Sequence, residues 1–340
     1  MKIIIDAMGG DFAPAVVIEG AVAAVKECGA EIILTGDEVK VKELLSKAHY
    51  TGDKIIVHHT TEVIDMSEPA ALSVRRKKNS SIVVGLNLLK ENGGGAFFSA
   101  GNTGAVVCAA TLILGLLPGA ERPGIAIIYP TLKDFSLMVD VGANIDAKPA
   151  HILQYAVMAD AYCRYELNKK NPSVALLNIG EEETKGTESV KETYNLLSQS
   201  KINFMGNIEG KDLFTGKCDI VVCDGFMGNV ALKVSEGVAS FIYGLLKREF
   251  TSSLMSTTAA FLLRANIRRL KKSLDYSEYG GAPLLGVNGV VIIGHGRSSS
   301  KAIKNAIRVA KEELECNVKD KMAEALSKLN IAAKKDGREL

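Results

Sequence analysis

The chain has 340 residues, of which 47% are hydrophobic and 24% are charged, a composition typical of a globular protein that buries a large core in one large domain or two fused ones. Its 41 Lys and Arg residues balance 39 Asp and Glu residues, so there is no overall positive field of the kind that nucleic-acid-binding proteins use. The six cysteines are scattered rather than set at zinc-ligand or redox spacing, which is typical of a reduced cytoplasmic protein.

In chain order, short β-branched segments alternate with longer segments of helical periodicity. The apolar run within residues 2–6 is too short for a signal peptide, so residues 2–6 are predicted to form a buried first strand. Further strands are predicted at 31–35, 54–58, 96–99, 124–129, 136–141, 173–178, 202–205, 219–223 and 290–293. Helices are predicted at 14–27, 37–48, 80–92, 103–117, 149–168, 187–199, 228–248 and 299–315. This alternation predicts an α/β fold with a mostly parallel sheet, in which ligands bind at the strand ends.

The chain shows no internal repeat, low-complexity block or Ser/Pro-rich linker, and we therefore expect a single domain over residues 1–340. The alternation breaks in the segment 228–276, where two helical patterns follow one another and predict a projecting helical hairpin. The apolar segment 105–117 ends at Pro118 and is shorter than the roughly 20 residues that span a bilayer. The pattern predicts a protein that touches a membrane without crossing it.

Glycine-rich turns with small polar residues recur where a predicted strand meets a helix. Four of them are Asp6–Asp11, Ser99–Gly104, Asp224–Asn229 and Gly294–Ser299. Because such turns can direct several backbone N–H groups at one anion, four in one chain favour a composite pocket for phosphate or an oxyanion. For each turn the alternative is a tight connection whose glycines only adopt positive φ. The candidate binding residues here are Gly9, Gly10, Asp11, Asn102, Thr103, Asp224, Gly225, Asn229 and, one helical turn further on, Lys233.

Two further strand-end turns carry lysine. In the first, Lys185 follows three glutamates and precedes Gly186, so it either neutralises those acids or contacts phosphate. In the second, Asp140 is followed by Asn144 and Lys148, and its carboxylates resemble metal ligands. No histidine or third carboxylate accompanies them at ligand spacing, so no metal site is predicted.

Local signatures of other enzyme classes fail on spacing. The segment 206–212 resembles a nucleotide-binding P-loop but has no Ser or Thr after its lysine. Gly93–Gly95 precedes a strand, which excludes a dinucleotide fingerprint there. The absence of a G-x-S-x-G elbow fits a reaction whose nucleophile is the substrate. Of the five histidines only His295 lies between glycines, and it either moves a proton or braces its loop.

Two segments predict surface interactions. Arg75, Arg76, Lys77 and Lys78 form a basic run that is either a solvated or internally paired face or a dock for an acidic partner. Between residues 250 and 263, apolar side chains stand beside serines and threonines; they include Leu254, Met255, Phe261, Leu262 and Leu263, and the cations Arg264, Arg268, Arg269, Lys271 and Lys272 follow. This pattern is typical of shallow insertion into an anionic membrane surface, and packing against a partner subunit is the alternative.

The turns together carry a family resemblance. The motifs are DAMGGD, EPAALSVRRKKNSS, SAGNTGA, DVGANIDAKP, NIGEEETKG, CDGFMGNVALK and YGGAPLLGVNG with GHG, and in this order they resemble the phosphate acyltransferase family called PlsX. The resemblance implies a three-layer Rossmann-like fold similar to those of phosphotransacetylases and of isocitrate or isopropylmalate dehydrogenases. It implies an enzyme that makes acyl phosphate from fatty acyl-acyl carrier protein and inorganic phosphate without a metal or organic cofactor.

The resemblance also implies partners and residue roles. It implies a homodimer in the cytoplasm, peripherally attached to the inner face of the cell membrane, that supplies a membrane glycerol-3-phosphate acyltransferase. On this interpretation Lys185 and the Asn102–Thr103 turn hold phosphate, and Asn229 orients the carbonyl or the phosphate. His295 protonates the departing thiolate or braces its loop, and the basic run binds the carrier protein.

Three rival functions stay open from the sequence. A phosphotransacylase would take its acyl group from coenzyme A. A hydroxyacid dehydrogenase would need metal and NAD, whose motifs are not visible. A noncatalytic scaffold would only recruit lipid enzymes to the membrane.

Overall fold

The structure is a computed structural model that describes residues 1–267 and 280–335. The strands are β1 (Lys2–Asp6), β2 (Glu31–Gly36), β3 (Ile55–His59), β4 (Ala96–Ser99), β5 (Gly124–Pro130), β6 (Phe135–Val139), β7 (Ser173–Leu177), β8 (Asn203–Ile208), β9 (Ile220–Val222), β10 (Ala282–Leu285) and β11 (Val290–Ile293). The helices are α1 (Ala15–Cys28), α2 (Glu38–Lys47), α3 (Ala70–Arg76), α4 (Ser81–Glu91), α5 (Thr103–Ile113), α6 (Pro149–Tyr165), α7 (Glu188–Ser198), α8 (Gly225–Phe250), α9 (Leu254–Leu262), α10 (Ser300–Glu315) and α11 (Val318–Lys335).

The strands form one 11-stranded sheet in the order β3-β2-β1-β4-β11-β10-β5-β6-β9-β7-β8. Neighbouring strands are parallel from β3 to β11 and again from β6 to β8. In the middle, β10 is antiparallel to both β11 and β5, and β5 is antiparallel to β6. The two parallel halves therefore run in opposite directions, joined through β10 and β5.

Helices cover both faces of the sheet and make a three-layer α/β structure, as predicted. One buried cluster joins α1 and α10 to the first half, and a second joins α6 and α11 to the other half. A third cluster, with α4 and α5, lies on the opposite face and extends across both halves. Because both faces are covered, Ile3, Ile4 and Ile5 of β1 are all at most 1% exposed, the continuous apolar run that is typical of buried parallel strands.

Short polar side chains start most of the helices that follow strands. Asp37, Asn102, Asp224 and Ser299 each accept a hydrogen bond from a backbone N–H in the first turn of the next helix. Such caps satisfy N–H groups that a helix leaves without an intrahelical partner. They also fix where each strand-end turn stops, which sets the position of the side chains beside it.

The structure adds four elements that the sequence patterns do not predict: β10, α3, α11 and a 3₁₀-helix at Gly210–Asp212. β10 has four residues and contains Pro283, and α3 has seven residues after Pro69, so both are too short for their apolar pattern to stand out in the sequence. The helix predicted at 103–117 ends at Ile113, because Gly115 adopts a φ of 79° and Leu116 pairs with Val287. Its last residues thus join the central strands instead of continuing the helix.

Two consecutive helices, α8 and α9, occupy the described part of the segment in which a helical hairpin is predicted. The buried residues of α8 are Gly225 and Gly228, in its first turn, and the remainder of the helix leaves the sheet. The part of the predicted hairpin from 268 to 276 lies outside the described residues. Within residues 1–267 and 280–335, no helix is both long and apolar enough to cross a bilayer. The single-domain interpretation of residues 1–340 stays a prediction.

Candidate active site

The turns after β1 and β4 are locked together by a buried carboxylate. Asp6 is 1% exposed; its Oδ1 accepts the Met8 N–H at 3.0 Å, and its Oδ2 accepts the Ser99 hydroxyl at 2.7 Å. Burial raises the pKa of Asp6, and these hydrogen bonds oppose that rise. A methyl group on Gly9 would lie 2.7 Å from the Gly101 nitrogen, so only glycine allows these two backbones to approach so closely.

The turn after β11 joins the same cluster. The Asp11 N–H donates to the Gly296 carbonyl at 2.7 Å, and Arg297 Nε lies 3.6 Å from Asp11 Oδ2. A methyl group on Gly10, whose φ is 111°, would lie 3.2 Å from the same carbonyl. The turns after β1, β4 and β11 therefore form one unit, as expected for neighbouring parallel strands whose carboxyl ends lie at one edge.

The Asn102 side chain is fully engaged within the protein. Its Oδ1 caps α5 by accepting the Ala105 N–H at 3.0 Å. Its Nδ2 lies 3.1 Å from the Asp65 carbonyl, 3.2 Å from the Met66 carbonyl and 3.1 Å from the Glu68 carbonyl. Asn102 thus holds the loop before α3 against the start of α5, an arrangement that positions Thr103 and Met66.

The turns after β6 and β9 form a second unit. Asp140 is fully buried, and its carboxylate accepts backbone N–H groups of Ile125, Gly142, Ala143 and Asn144 at 2.7–3.1 Å. Burial raises the pKa of Asp140, and the backbone hydrogen bonds oppose that rise. The Asn144 amide donates to the Pro123 carbonyl at 2.5 Å and to the Tyr155 hydroxyl at 2.7 Å. Asn144 therefore serves the internal structure of this turn.

The start of α8 is pressed against this second unit. The Gly225 N–H donates to the Asn144 carbonyl at 2.8 Å, and the Asp224 carboxylate caps the helix through the Met227 N–H at 2.8 Å. A methyl group on Gly142 would lie 3.7 Å from Asn229 Cβ. These contacts fix Asn229 at the edge of the turn, with its side chain exposed.

A cavity of about 400 Å³ lies over the central strands, between the two units of turns. Each of the four glycine turns contributes to its wall through Asp11, Thr103, Asn229 and the residues 294–298. Its polar wall also includes Lys233 and Glu236, while its apolar wall consists of Met66, Ile125, Ile127, Ile128, Tyr129, Val141, Leu232, Ala282, Ile293 and Ala302. A substrate with one anionic end and one long apolar part matches such a wall.

His295 presents a defined ring nitrogen. Its Nδ1 accepts the Arg297 backbone N–H at 3.1 Å. Because an acceptor nitrogen carries no proton, the neutral ring carries its hydrogen on Nε2. His295 thus braces its loop through Nδ1, and its role in moving a proton stays a prediction.

The cations of the cavity wall lie beside carboxylates. Lys233 Nζ lies 2.9 Å from Glu236 Oε2, one turn along α8, and Arg297 pairs with Asp11 across the turn. Both cations are mostly exposed, at 55% and 77% of their side-chain areas, so each pair contributes little to stability. Both cations can therefore exchange these carboxylates for another anion.

Some predicted site residues lie away from this cavity. Among the described residues, its wall does not include Lys148, Lys185 or Gly186. Lys185 is exposed in the turn after β7, where its carbonyl accepts the Asn178 amide at 3.1 Å. Gly186 adopts a φ of 90° close to Asn178 Oδ1, and Lys148 is exposed at the start of α6. Lys148 thus lies after β6, and Lys185 and Gly186 lie in the separate turn after β7, where a role for Lys185 stays a prediction.

The basic run divides into two kinds of residue. Arg75, Arg76 and Lys78 are exposed, whereas Lys77 donates to the Val63 carbonyl at 2.7 Å and forms an ion pair with Glu68. The hydrogen bond from Lys77 lowers the pKa of Glu68 to about 2, with help from Ser73. Lys77 therefore anchors the same loop that Asn102 holds, and three cations face solvent.

The predicted membrane segment presents apolar side chains to solvent. Met255 is 83%, Phe261 62%, Leu262 77% and Leu263 46% exposed. The Arg264 guanidinium lies 4.5 Å from the centre of the Phe261 ring. The side chain of Leu254 and the cations Arg268, Arg269, Lys271 and Lys272 lie outside the described residues.

Several wall residues escape sequence reasoning. Ile127 and Leu232 look like ordinary core positions, and Glu236 and Met66 carry no local motif. Arg297 could have been found, because it lies two residues after His295 in a glycine turn. No group of three or more metal-binding side chains occurs in the part of the chain that the structure describes.

The chain is similar to known proteins over most of its length. A profile described as "Fatty acid synthesis protein" matches residues 1–321. The phosphate acyltransferase of Dictyoglomus turgidum is 49% identical over 331 residues, covering 97% of this chain and 98% of that protein. The chain belongs to the phosphate acyltransferase family. The corresponding protein of Halothermothrix orenii is 47% identical over 321 residues, covering 94% of this chain and 96% of its own. The PlsX resemblance is thereby confirmed.

Solved structures agree on the fold. A phosphotransacetylase from Streptococcus pyogenes superimposes with a TM-score of 0.64 at 17% identity, over 93% of this chain and 94% of its own. A branched-chain phosphotransacylase from Enterococcus faecalis gives 0.57 at 14% identity, over 92% and 99% of the two chains. A putative 4-hydroxythreonine-4-phosphate dehydrogenase from Salmonella typhimurium superimposes with a TM-score of 0.52 at 14% identity, over 92% of this chain and 98% of its own. At such identities the likeness concerns architecture and not chemistry.

Proposed function

We propose that this protein transfers the fatty acyl group of acyl-acyl carrier protein to inorganic phosphate and releases acyl phosphate for phospholipid synthesis. The relatives named phosphate acyltransferase support the reaction class. The single structural observation that carries the proposal is the cavity, in which four glycine turns supply polar groups around an apolar wall. An acyl group and a phosphate dianion need these two surfaces next to each other.

The proposed reaction joins a phosphate oxygen to the thioester carbonyl carbon. The new C–O bond forms a tetrahedral oxyanion, which collapses as the C–S bond breaks and its electron pair stays on sulfur. Starting from hydrogen phosphate, the proton that phosphate loses ends on the thiolate of the carrier. The protein chiefly has to position the two substrates and stabilise developing negative charge.

The wall residues fit these tasks. Lys233 and the Thr103 turn would hold phosphate, since an ammonium group and backbone N–H groups at a helix start both favour an anion. Asn229 would orient the carbonyl or the phosphate from the opposite unit. The Nε2–H of His295 would donate towards the oxyanion or the departing sulfur. Lys185 remains the proposed second cation, and Asn102 would act by positioning Thr103.

The proposal extends to partners. Acyl carrier protein would dock near Arg75, Arg76 and Lys78, whose exposed charge can attract an acidic protein. The α8–α9 tip with Phe261 and Leu262 would touch the inner face of the cell membrane from the cytoplasm. From that position the protein would deliver its apolar product, acyl phosphate, to a membrane glycerol-3-phosphate acyltransferase.

A homodimer is also part of the proposal. α8 exposes apolar side chains at about helical spacing, namely Val230, Val234, Val238, Phe241, Ile242 and Leu246. A stripe of this kind on a helix is suited to burial against a partner. The nearby α9 tip could pack on a partner subunit instead of lipid. Measurement of the oligomeric state tests this alternative together with the dimer.

The decisive experiment incubates purified protein with palmitoyl-acyl carrier protein and phosphate and measures acyl phosphate and free carrier. Lys185→Ala and Asn229→Ala should lower phosphate-dependent turnover at least about tenfold, or about 1.4 kcal/mol in the barrier. Thermal melting checks that both variants fold. Equal turnover with palmitoyl-coenzyme A would favour a phosphotransacylase, and reduction of NAD with a hydroxyacid would favour a dehydrogenase. No turnover with any donor would leave the scaffold function.

A further inference from the structure

The side chains of β5 form the floor of the cavity on one face of the sheet. Ile125 and Tyr129 are 4% and 7% exposed and belong to the same buried cluster. Ile127 lies between them on the same face, because side chains alternate along a strand. Unlike its neighbours, Ile127 is only half-buried. It is therefore the floor residue whose side chain is open to an occupant of the cavity.

Two other half-buried apolar residues line the cavity with it. Leu232 comes from α8 and Ala282 from the start of β10, and both pack against the same cluster as Ile127. A strand, its neighbour and the covering helix thus supply an apolar track. Leaving such side chains half-open costs free energy that an apolar ligand recovers on binding.

An aromatic contact holds Tyr129, the last residue of β5 that lines the cavity. The ring of Tyr129 packs edge-on against Phe214, with centroids 5.7 Å apart and an interplanar angle of 77°. An aromatic pair of this geometry adds to the stability gained by burial, so Tyr129 does not yield easily to a longer occupant. An apolar track whose end does not move limits the length of the ligand that fits in it.

We infer that Ile127 selects the length of the acyl chain that the cavity accepts. This inference rests on the proposed function, since it takes the fatty acyl group as the occupant of the apolar track. The polar groups of the wall, including Asn229, Lys233 and His295, are left to the carbonyl and phosphate. Ile127 touches the chain and not the reacting atoms, so it acts on specificity.

The test compares kcat/KM for a series of acyl-acyl carrier proteins from short to long chains. Ile127→Ala should move the preference towards longer chains, and Ile127→Phe should move it towards shorter ones. Each shift should be at least about tenfold in the ratio of long to short substrates, because a single methylene in an apolar pocket discriminates by about 10-fold or more. The KM for phosphate should stay unchanged in both.

A matched control is Leu137→Ala. Leu137 is fully buried on β6, next to β5, but belongs to the cluster on the other face of the sheet. The Leu137→Ala variant should lose stability and keep the wild-type ratio of kcat/KM between long and short acyl chains. Because both substrates compete for the same enzyme, the ratio does not depend on the fraction of protein that is folded. Ile127→Val serves as a milder variant if the Phe variant fails to fold.

The outcomes separate the two claims. If the wild-type protein forms no acyl phosphate from any donor, the proposed function fails. If the wild-type protein is active but Ile127→Ala and Ile127→Val keep its chain-length ratio, the inference about Ile127 is overturned. A shift of Ala and Phe variants in the same direction would overturn it as well.

Discussion

A methyl group added to Gly228, next to Asn229 of the proposed site, would clash with the turn after β6. A Cβ on Gly228 would lie 1.9 Å from the Asp140 carbonyl oxygen and 2.9 Å from Cys223 Sγ. The first distance is about 1.5 Å short of ordinary contact, and the obstacle is backbone, so α8 has to move away from the turn. Overpacking of this kind costs about 1–3 kcal/mol. Since Asn229 is the next residue, we expect Gly228→Ala to lose about 100-fold in kcat/KM, the effect of about 1 Å of misplacement.

The assay is acyl phosphate formation, paired with urea unfolding. Gly244→Ala is the matched control, because Gly244 lies in the same helix and a Cβ there has no described atom within 4 Å. That variant should gain about 0.5–1 kcal/mol, as alanine is the better residue in a helix, and keep full activity. Wild-type activity in Gly228→Ala would show that the position of α8 does not control the site.

Further predictions concern pH, carrier docking and the membrane. Burial raises the pKa of Glu313 to about 8. The folded state therefore holds this proton more tightly than the unfolded state does. The contribution of Glu313 to the free energy of unfolding is complete at low pH and is lost as pH rises towards 8. Glu313→Gln should reduce the decrease of the free energy of unfolding with pH, measured by urea titrations at several pH values. An unchanged pH dependence would contradict the prediction. Reversing the charges of Arg76 and Lys78 should raise the KM for carrier protein and weaken its salt dependence; no change in either would argue against docking there. Replacing Phe261 and Leu262 with polar residues should abolish sedimentation with anionic liposomes while leaving turnover and dimerisation intact, and dissociation to monomers would favour the partner-packing alternative.

Much of the architecture follows from local patterns. Apolar runs such as Ile3–Ile5 predict buried strands, since only a covered sheet hides both faces of a strand. The turns at Asn102, Asp224 and Ser299 were visible because caps and glycines act over a few residues. Their chemistry also carried the family resemblance, which the whole-chain comparison confirms.

Other features depend on residues that are distant in sequence. The antiparallel β10 joins two halves that run in opposite directions, and nothing local to Pro283 specifies its neighbours. Lys77 belongs to a basic run in the sequence, but its ion pair with Glu68 makes it an anchor of a loop. The amide of Asn102 is likewise taken up by carbonyls more than 30 residues away.

The sequence by itself determined the described strands other than β10 and the glycine turns that follow them, because these depend on side-chain alternation and backbone conformation over a few residues. Only the tertiary structure decided which turns share a cavity, that Lys185 lies off its wall and that Ile127 opens into it. The physical reason is that strand order and packing set these distances: Ser99 and Asp6 are 93 residues apart in the chain yet share a hydrogen bond of 2.7 Å.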